Sequence, residues 1–377
     1  MTLDRIEDAI AAIAAGEIIV VVDDDDRENE GDLIMAASAA TAEKVAFFIR
    51  YTSGILCTPL NGDQAHRLRL DPMVSANDAP LATAFTVSVD YREGLTTGIS
   101  AEERCNTVRA LANGNVGGGD FVRPGHVFPL VAREGGVLMR TGHTEAAVDL
   151  ARLAGLPQVG LLAELVNDDG TMKRGPQVTE FATEHNLRII SVADIVAYRQ
   201  RREQLVERIA EFPVETRIGP ANGIVYSTPY DDIHHLALVF GDVTAPSEDG
   251  ILTRLHRENV VEDVFGASDM LDTSLDRIAK RGQGVLVYLR EGGAGVPAMA
   301  WPQSSIGLAE ASPSAPAGEG IASAAVREQE WRDIGLGAQI LRDIGLDSIR
   351  LITNRERHFI ALAGFGLKIA STDLVQD

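Results

Sequence analysis

The 377-residue sequence has two cysteines, Cys57 and Cys105, lying far apart. That excludes a disulfide framework and a Cys-x-x-Cys metal knuckle. Basic residues are scarce: 34 Lys and Arg stand against 55 Asp and Glu, a net charge of -21. Nucleic acid and anionic membrane surfaces need basic faces, so neither is expected as a partner. A small anionic substrate is still compatible, because a pocket can be positive on an acidic protein. Long apolar runs are missing too. The longest, IIVVV at 18–22, is far too short to span a bilayer. The opening MTLDRIEDAI lacks the basic and apolar regions of a secretion signal, so the expected location is the cytoplasm.

Hydrophobic residues make up 45% of the chain, enough for an ordinary core. At about 100–200 residues per domain, the length predicts two domains. Ile6, Ile10 and Ile13 have helical spacing, with Gly16 as a stop. EIIVVVD, LIMAAS (33–38) and ILCTPL (55–60) read as strands, and AEKVAFFIRY (42–51) as a helix capped by Thr41. Glycines and prolines make NGNVGGGDFVRPGHVFPL (113–130) read as loop-rich, its glycine run as a mobile surface loop. VLMR (137–140) reads as a strand and Thr144 as the N-cap of the next helix, which Gly155 ends. VGLLAELV reads as a buried strand followed by an Asn-Asp-Asp-Gly turn. The charged stretch YRQRREQLVERIAEFPVE, ending before Pro213, reads as a helical connector between the domains. In the second half HHLALVFGD, GVLVYLRE and SIRLITN read as strands, and 292–327, rich in Gly, Ala, Ser and Pro, as a loop. This alternation predicts an α/β or α+β protein.

Two stretches concentrate chemistry. In VVDDDDRENEGD (21–32) seven of twelve residues are carboxylates. Such a run is a solvated acidic face, a structural cation site or a catalytic metal site. Its place after an aliphatic strand favours the last, and hard oxygen donors favour Mg²⁺ or Mn²⁺ over zinc. RTGHTE (140–145) joins a predicted strand to a helix, where backbone amides suit a phosphate, Arg140 adds charge, and His143 could ligate a metal or carry a proton. It is otherwise a capping turn with an ordinary histidine. His126 is a weaker candidate. Glu164, inside LLAELV, is either a half-exposed strand residue or a buried functional carboxylate.

DDDDRENEGDLIMAA, TTGISAEER, RPGHVFPL, GHTEAAVDLARLAG and AELVNDDGTM, in this order and spacing, resemble the 3,4-dihydroxy-2-butanone 4-phosphate synthase family of riboflavin biosynthesis over about residues 1–200. The resemblance implies an α+β fold, a homodimer, and conversion of D-ribulose 5-phosphate to L-3,4-dihydroxy-2-butanone 4-phosphate and formate with Mg²⁺ or Mn²⁺. It makes Glu28 and His143 the metal ligands. Arg27, Asp32, Arg140, Thr141, Gly142, Thr144 and Glu164 become substrate contacts, the 140–144 segment near the phosphate. His126 and Glu164 fall at positions needed for catalysis, and Glu30 and Cys57 at positions lining the site.

The second half, about 212–371, resembles GTP cyclohydrolase II in HHLALVFGDV, RLHRENVVEDVFG, GLGAQILRDIGLDSIRLITN and LAGFGLKI. That family holds zinc with three cysteines. At the matching positions this chain has Asn259, Met270 and Asp272, and no cysteine follows Cys105. EGGAGVP (291–297) has lost the family's arginine, and Ile334 replaces a tyrosine beyond the retained Arg332. A synthase domain at 1–203 is therefore expected, with a cyclohydrolase-like domain at 204–377 that folds, binds no zinc and does not open GTP. A bifunctional enzyme, or a regulatory or assembly role for the second domain, is the alternative.

Overall fold

The computed structural model describes residues 3–23, 30–79, 81, 83–229, 231–244, 249–266, 269–290, 335–353 and 367–375. Two compact units divide it between Arg199 and Gln200.

The first unit runs α1 (Ile6–Ala14), β1 (Ile19–Val22), β2 (Gly31–Ala36), α2 (Ala42–Tyr51), β3 (Cys57–Leu60), α3 (Gly62–Arg67) and β4 (Val89–Tyr91). It continues with α4 (Ala101–Leu111), β5 (Phe121–Val131), α5 (His143–Leu153), β6 (Gly160–Glu164), α6 (Pro176–Glu184), β7 (Arg188–Ser191) and α7 (Val192–Arg202). Its sheet is mixed, in the order β4-β5-β3-β6-β2-β1-β7. The central strands are apolar along their middles because both faces are covered, with Asp32 and Glu164 at the ends of β2 and β6. Val20, Val22, Leu33, Met35, Leu161 and Ala163 enter one core with Phe48, Val108 and Phe181 of α2, α4 and α6. Their neighbours Ile19, Val21, Ile34, Ala36 and Leu162 enter the other, with Ile13, Leu150 and Ile195 of α1, α5 and α7. The pleat thus deals successive side chains to opposite layers.

Local signals fix several ends. Thr41 Oγ1 accepts from the Lys44 N–H, capping α2 as expected. Gly16 follows α1 at φ +78°, a conformation that suits glycine. Gly31 allows a close approach, since a Cβ there would lie 2.6 Å from Val178 of α6.

Other expectations give way to tertiary context. RPGHVFPL belongs to the eleven-residue strand β5 rather than to a loop. Burial of Phe121, Val127 and Leu130 outweighs its glycine and prolines. The preceding glycine run makes a 3₁₀ turn at Gly118–Asp120, with its carbonyls at Asn113, Gly114 and Val116 tied to the Arg67 guanidinium. VLMR is not a strand: Gly136–Leu138 is a 3₁₀ turn, held where the Val137 N–H donates to Asp149 Oδ2 at 2.8 Å. The charged connector is not one helix. α7 ends at Arg202, and Glu207–Thr216 is an edge strand whose exposed glutamates face solvent.

The second unit contains β8 (Glu207–Thr216), β9 (Gly219–Thr228), β10 (Asp231–Phe240), β11 (Ile251–Arg257), α8 (Asp269–Arg281), β12 (Gly284–Leu289), a helix α9 at 335–343, β13 (Ser348–Thr353) and β14 (Lys368–Leu374). Its sheet has the order β14-β13-β11-β12-β10-β9-β8. Leu275 and Ile278 of α8 pack on Leu252, Leu286 and Ile352. Gly337 of α9 lies so close to Leu255 that a Cβ would sit 2.8 Å from its side chain. Both units are therefore α+β with mixed sheets, as expected. The stretch 292–327, EGGAGVP, Arg332 and Ile334 lie outside the described residues.

In the first unit α5 and α7 are joined by a buried ion pair. Arg199 Nη1 lies 2.7 Å from Asp149 Oδ2, with 2% and 4% of the two side chains exposed. The same guanidinium nitrogen donates to the Gly135 carbonyl. Removing one partner strands a buried charge. Arg199→Ala should therefore cost about 3–5 kcal/mol, read as a lower midpoint in urea denaturation. A shift below about 1 kcal/mol would show that the pair is inert.

Candidate active site

Strand direction collects the predicted residues on one edge of the first sheet. β3 and β5 run parallel, β6 runs antiparallel to β3, and β2 antiparallel to β6. Cys57 opens β3, Glu164 closes β6 and Asp32 lies at the start of β2, so all three meet at the same end. Asp32 pairs directly with Glu164 across the ladder. His143 begins α5, and its Nδ1 lies 3.8 Å from Asp32 Oδ2, with both side chains buried.

Each group has a support. Glu164 Oε2 accepts from Ser53 Oγ at 2.8 Å, and the Glu164 carbonyl accepts from the Ser53 N–H. The Glu30 N–H donates to Asp23 Oδ1 at 3.0 Å, and Arg174 Nη2 donates to Glu30 Oε1 at 3.0 Å. Asp23 and Glu30 thereby clasp the two ends of the acidic stretch between β1 and β2. Arg27 and Glu28, within that stretch, lie outside the described residues. Cys57 is buried, and burial together with the nearby charges of Glu164 and Asp32 pushes its thiol well above the usual range. Both causes favour the neutral thiol over the thiolate.

The RTGHTE turn differs from its expected form. The N-cap of α5 is Gly142, in extended backbone, and Thr144 sits buried within the first turn rather than capping it. Arg140 Nη1 donates to Glu145 Oε2 at 2.7 Å, and its Nη2 donates to the Leu81 carbonyl at 3.2 Å. Burial raises the Glu145 carboxyl, and the Arg140 charge opposes that rise. Arg140 therefore braces Thr141, Gly142 and His143 from inside. A Cβ on Gly142 would lie 2.5 Å from Arg140 Nη1, so the turn is packed tightly on that brace.

His126 stands on β5, two residues before Phe128, the partner of Cys57. Asp90 holds it by both its backbone N–H and its ring, at 2.9 and 2.7 Å. Sequence reasoning missed Ser53, Asp90, Glu145 and Arg174. Ser53, Asp90 and Arg174 stand in no spacing that marks them, and Glu145, though inside the RTGHTE stretch, is marked only by the Arg140 it meets in the fold.

Carboxylate oxygens with one imidazole suit a hard divalent cation. Among the described residues no three His, Cys, Asp or Glu side chains gather closely enough to hold one alone.

The family model for 3,4-dihydroxy-2-butanone 4-phosphate synthase matches residues 7–198, and the model for GTP cyclohydrolase II matches 207–373. The chain belongs to the 3,4-dihydroxy-2-butanone 4-phosphate synthase family. It carries that family's synthase function in riboflavin biosynthesis, followed by a GTP cyclohydrolase II domain. It is 48% identical to the riboflavin biosynthesis protein RibBA of Rhodococcus erythropolis, with 97% of this chain and 88% of that one covered. The corresponding protein of Salinispora arenicola is 47% identical, with 98% and 88% covered. Among solved structures, RibBX, a two-domain 3,4-dihydroxy-2-butanone 4-phosphate synthase from A. baumannii, matches with TM-score 0.79 and 34% identity, covering 99% of this chain and 100% of that one. A 3,4-dihydroxy-2-butanone 4-phosphate synthase in complex with two magnesium ions matches with TM-score 0.52 and 42% identity, covering 53% and 98%. No described helix is long and apolar enough to cross a membrane.

The thiol environment gives a direct test. Both cysteines are buried, and burial raises both thiols. Iodoacetamide at neutral pH should leave them unmodified in native protein and label both in denaturant, read by intact mass. Rapid labelling of Cys57 in native protein would contradict the neutral-thiol reading.

Proposed function

We propose that residues 1–203 convert D-ribulose 5-phosphate to L-3,4-dihydroxy-2-butanone 4-phosphate and formate, and that residues 204–377 form a cyclohydrolase-like domain that does not open GTP. One observation carries the first part: Asp32, Glu164, Cys57 and His143 converge on one sheet edge beside the base of the acidic stretch. Glu28 and His143 would hold Mg²⁺ or Mn²⁺, which when bound supplies Lewis-acid stabilisation of negative charge developing on substrate oxygens. Arg27, Asp32 and the 140–144 turn bind the substrate. The turn contributes the amides at the start of α5, where a phosphate is favoured by the helix dipole. Glu164, oriented by Ser53, and His126 move protons, while Glu30 and Cys57 line the site. The resemblance adds a homodimer, and the N-terminal composition supports the cytoplasm as its location.

The second part rests on what occupies the zinc positions. The Asn259 N–H donates to Asp263 Oδ2 at 3.0 Å. Met270 packs against the core beneath α8, and Asp272 pairs with Arg217 at 2.9 Å on the surface. None is a thiolate, and two are engaged elsewhere. The full-length likeness to a two-domain synthase supports the same reading. The match to the GTP cyclohydrolase II model favours the other reading, a bifunctional enzyme with altered ligands.

Paired assays decide. Full-length protein with ribulose 5-phosphate and Mg²⁺ should release formate, EDTA should stop it, and added Mg²⁺ should restore it. The same preparation should leave GTP intact and contain no stoichiometric zinc by elemental mass spectrometry. No formate would reject the synthase assignment for this chain; GTP loss with bound zinc would reject the inactive second domain.

A further inference from the structure

We propose that Asp90 is a positioning residue for the synthase reaction: it fixes His126 in the Nδ1–H tautomer and leaves Nε2 as the atom that takes the proton. This deepens the reading above and rests on His126 acting on substrate.

The geometry begins in the β4–β5 ladder. Val89 pairs with Val127 and Asp90 with Val122. Adjacent residues of β4 therefore face residues of β5 that are five apart, and Arg123, Pro124, Gly125 and His126 are extruded between them. Ser88 and Asp90 hold the extrusion in place. The Gly125 N–H donates to Ser88 Oγ at 3.1 Å. The His126 N–H donates to Asp90 Oδ1 at 2.9 Å, and His126 Nδ1 lies 2.7 Å from Asp90 Oδ2. One carboxylate thus grips both the backbone and the ring of the same residue.

A carboxylate only accepts, so the proton between them belongs to Nδ1. The opposite nitrogen, Nε2, then carries the lone pair. Exposure agrees with this division: 4% of the Asp90 side chain is accessible against 40% of His126. The buried acid orients, and the ring faces outward. When Nε2 takes a proton from substrate, the C–H electron pair stays on the substrate as an enediolate, and the imidazolium that forms is stabilised by Asp90. Gly98 closes over the pair from the TTGISAEER segment. A Cβ there would lie 2.2 Å from Asp90 Oδ2 and 2.8 Å from His126 Nδ1, and its φ is +86°. The glycine at this position therefore lets the turn seat against the pair without prising it apart.

The deciding variant is Asp90→Asn. Its amide oxygen can still accept from the His126 N–H, but its NH₂ would face Nδ1 and demand a lone pair there. The ring should then carry its proton on Nε2, the wrong atom for a base. The turnover number for formate release should fall about 100- to 10,000-fold, with KM changed by less than about threefold. Long-range ¹⁵N correlation spectra of histidine-labelled full-length protein, with His126 assigned through His126→Gln, should show Nδ1–H in wild type and Nε2–H in the variant. Asp90→Glu should restore part of the turnover. Unchanged turnover, or a loss with His126 still in the Nδ1–H form, would overturn the proposal. If the variant does not fold, by circular dichroism, an Nε2–H tautomer in wild type would overturn it alone. Wild-type protein that releases no formate would sink this inference together with the functional reading, whereas a failure confined to the tautomer would sink only the role of Asp90.

Discussion

Burial on both faces of the central strands is the constraint from which the rest of the first unit follows. β1, β2 and β6 have an apolar layer above and below, so a charge in mid-strand would be stranded without water. Ionisable groups are tolerated where a strand ends and loops begin. Asp32 and Glu164 sit at that limit, and mixed strand directions bring three such limits to one edge. α5 supplies the imidazole because its first residue abuts the same edge. The site is what this packing permits, not an addition to it.

This explains how much could be read from the residues alone. β1 and β2 are near-continuous aliphatic runs, and Thr41 is a local cap, so their signals need no neighbours. β5 carries Pro124, Gly125 and Pro129, which locally argue for a loop; it is a strand because Phe121, Val127 and Leu130 have cores to enter. Likewise Glu145 stands in the same RTGHTE stretch as Arg140, yet only the fold shows that the two pair. The motif residues Asp32, Cys57, His143 and Glu164 were legible because their family pattern is distinctive. Their supports, Ser53, Asp90 and Arg174, were not, because each is chosen by a contact across the sheet or between loops.

The second unit shows the same physics turned to a different end. Asp263 gathers the His256 ring at 2.9 Å, the Tyr288 hydroxyl at 2.6 Å and the Asn259 N–H. Three donors on one carboxylate tie the segment after β11 to β12. α8 and α9 are held to this sheet by apolar packing: Leu275 and Ile278 meet Leu252 and Leu286, and Gly337 lies against Leu255.

The extrusion in β5 has an evolutionary corollary. Four residues leave the ladder, an even number, so the strand re-enters in phase: Phe121 and Val127 reach the same core from either side of the gap. Val127 enters one core and Leu130 the other, so a one-residue slip of the downstream strand would exchange the layers these two side chains face. Changes confined to Arg123, Pro124 and Gly125 can therefore alter how His126 is displayed while the strand that follows keeps its pairing.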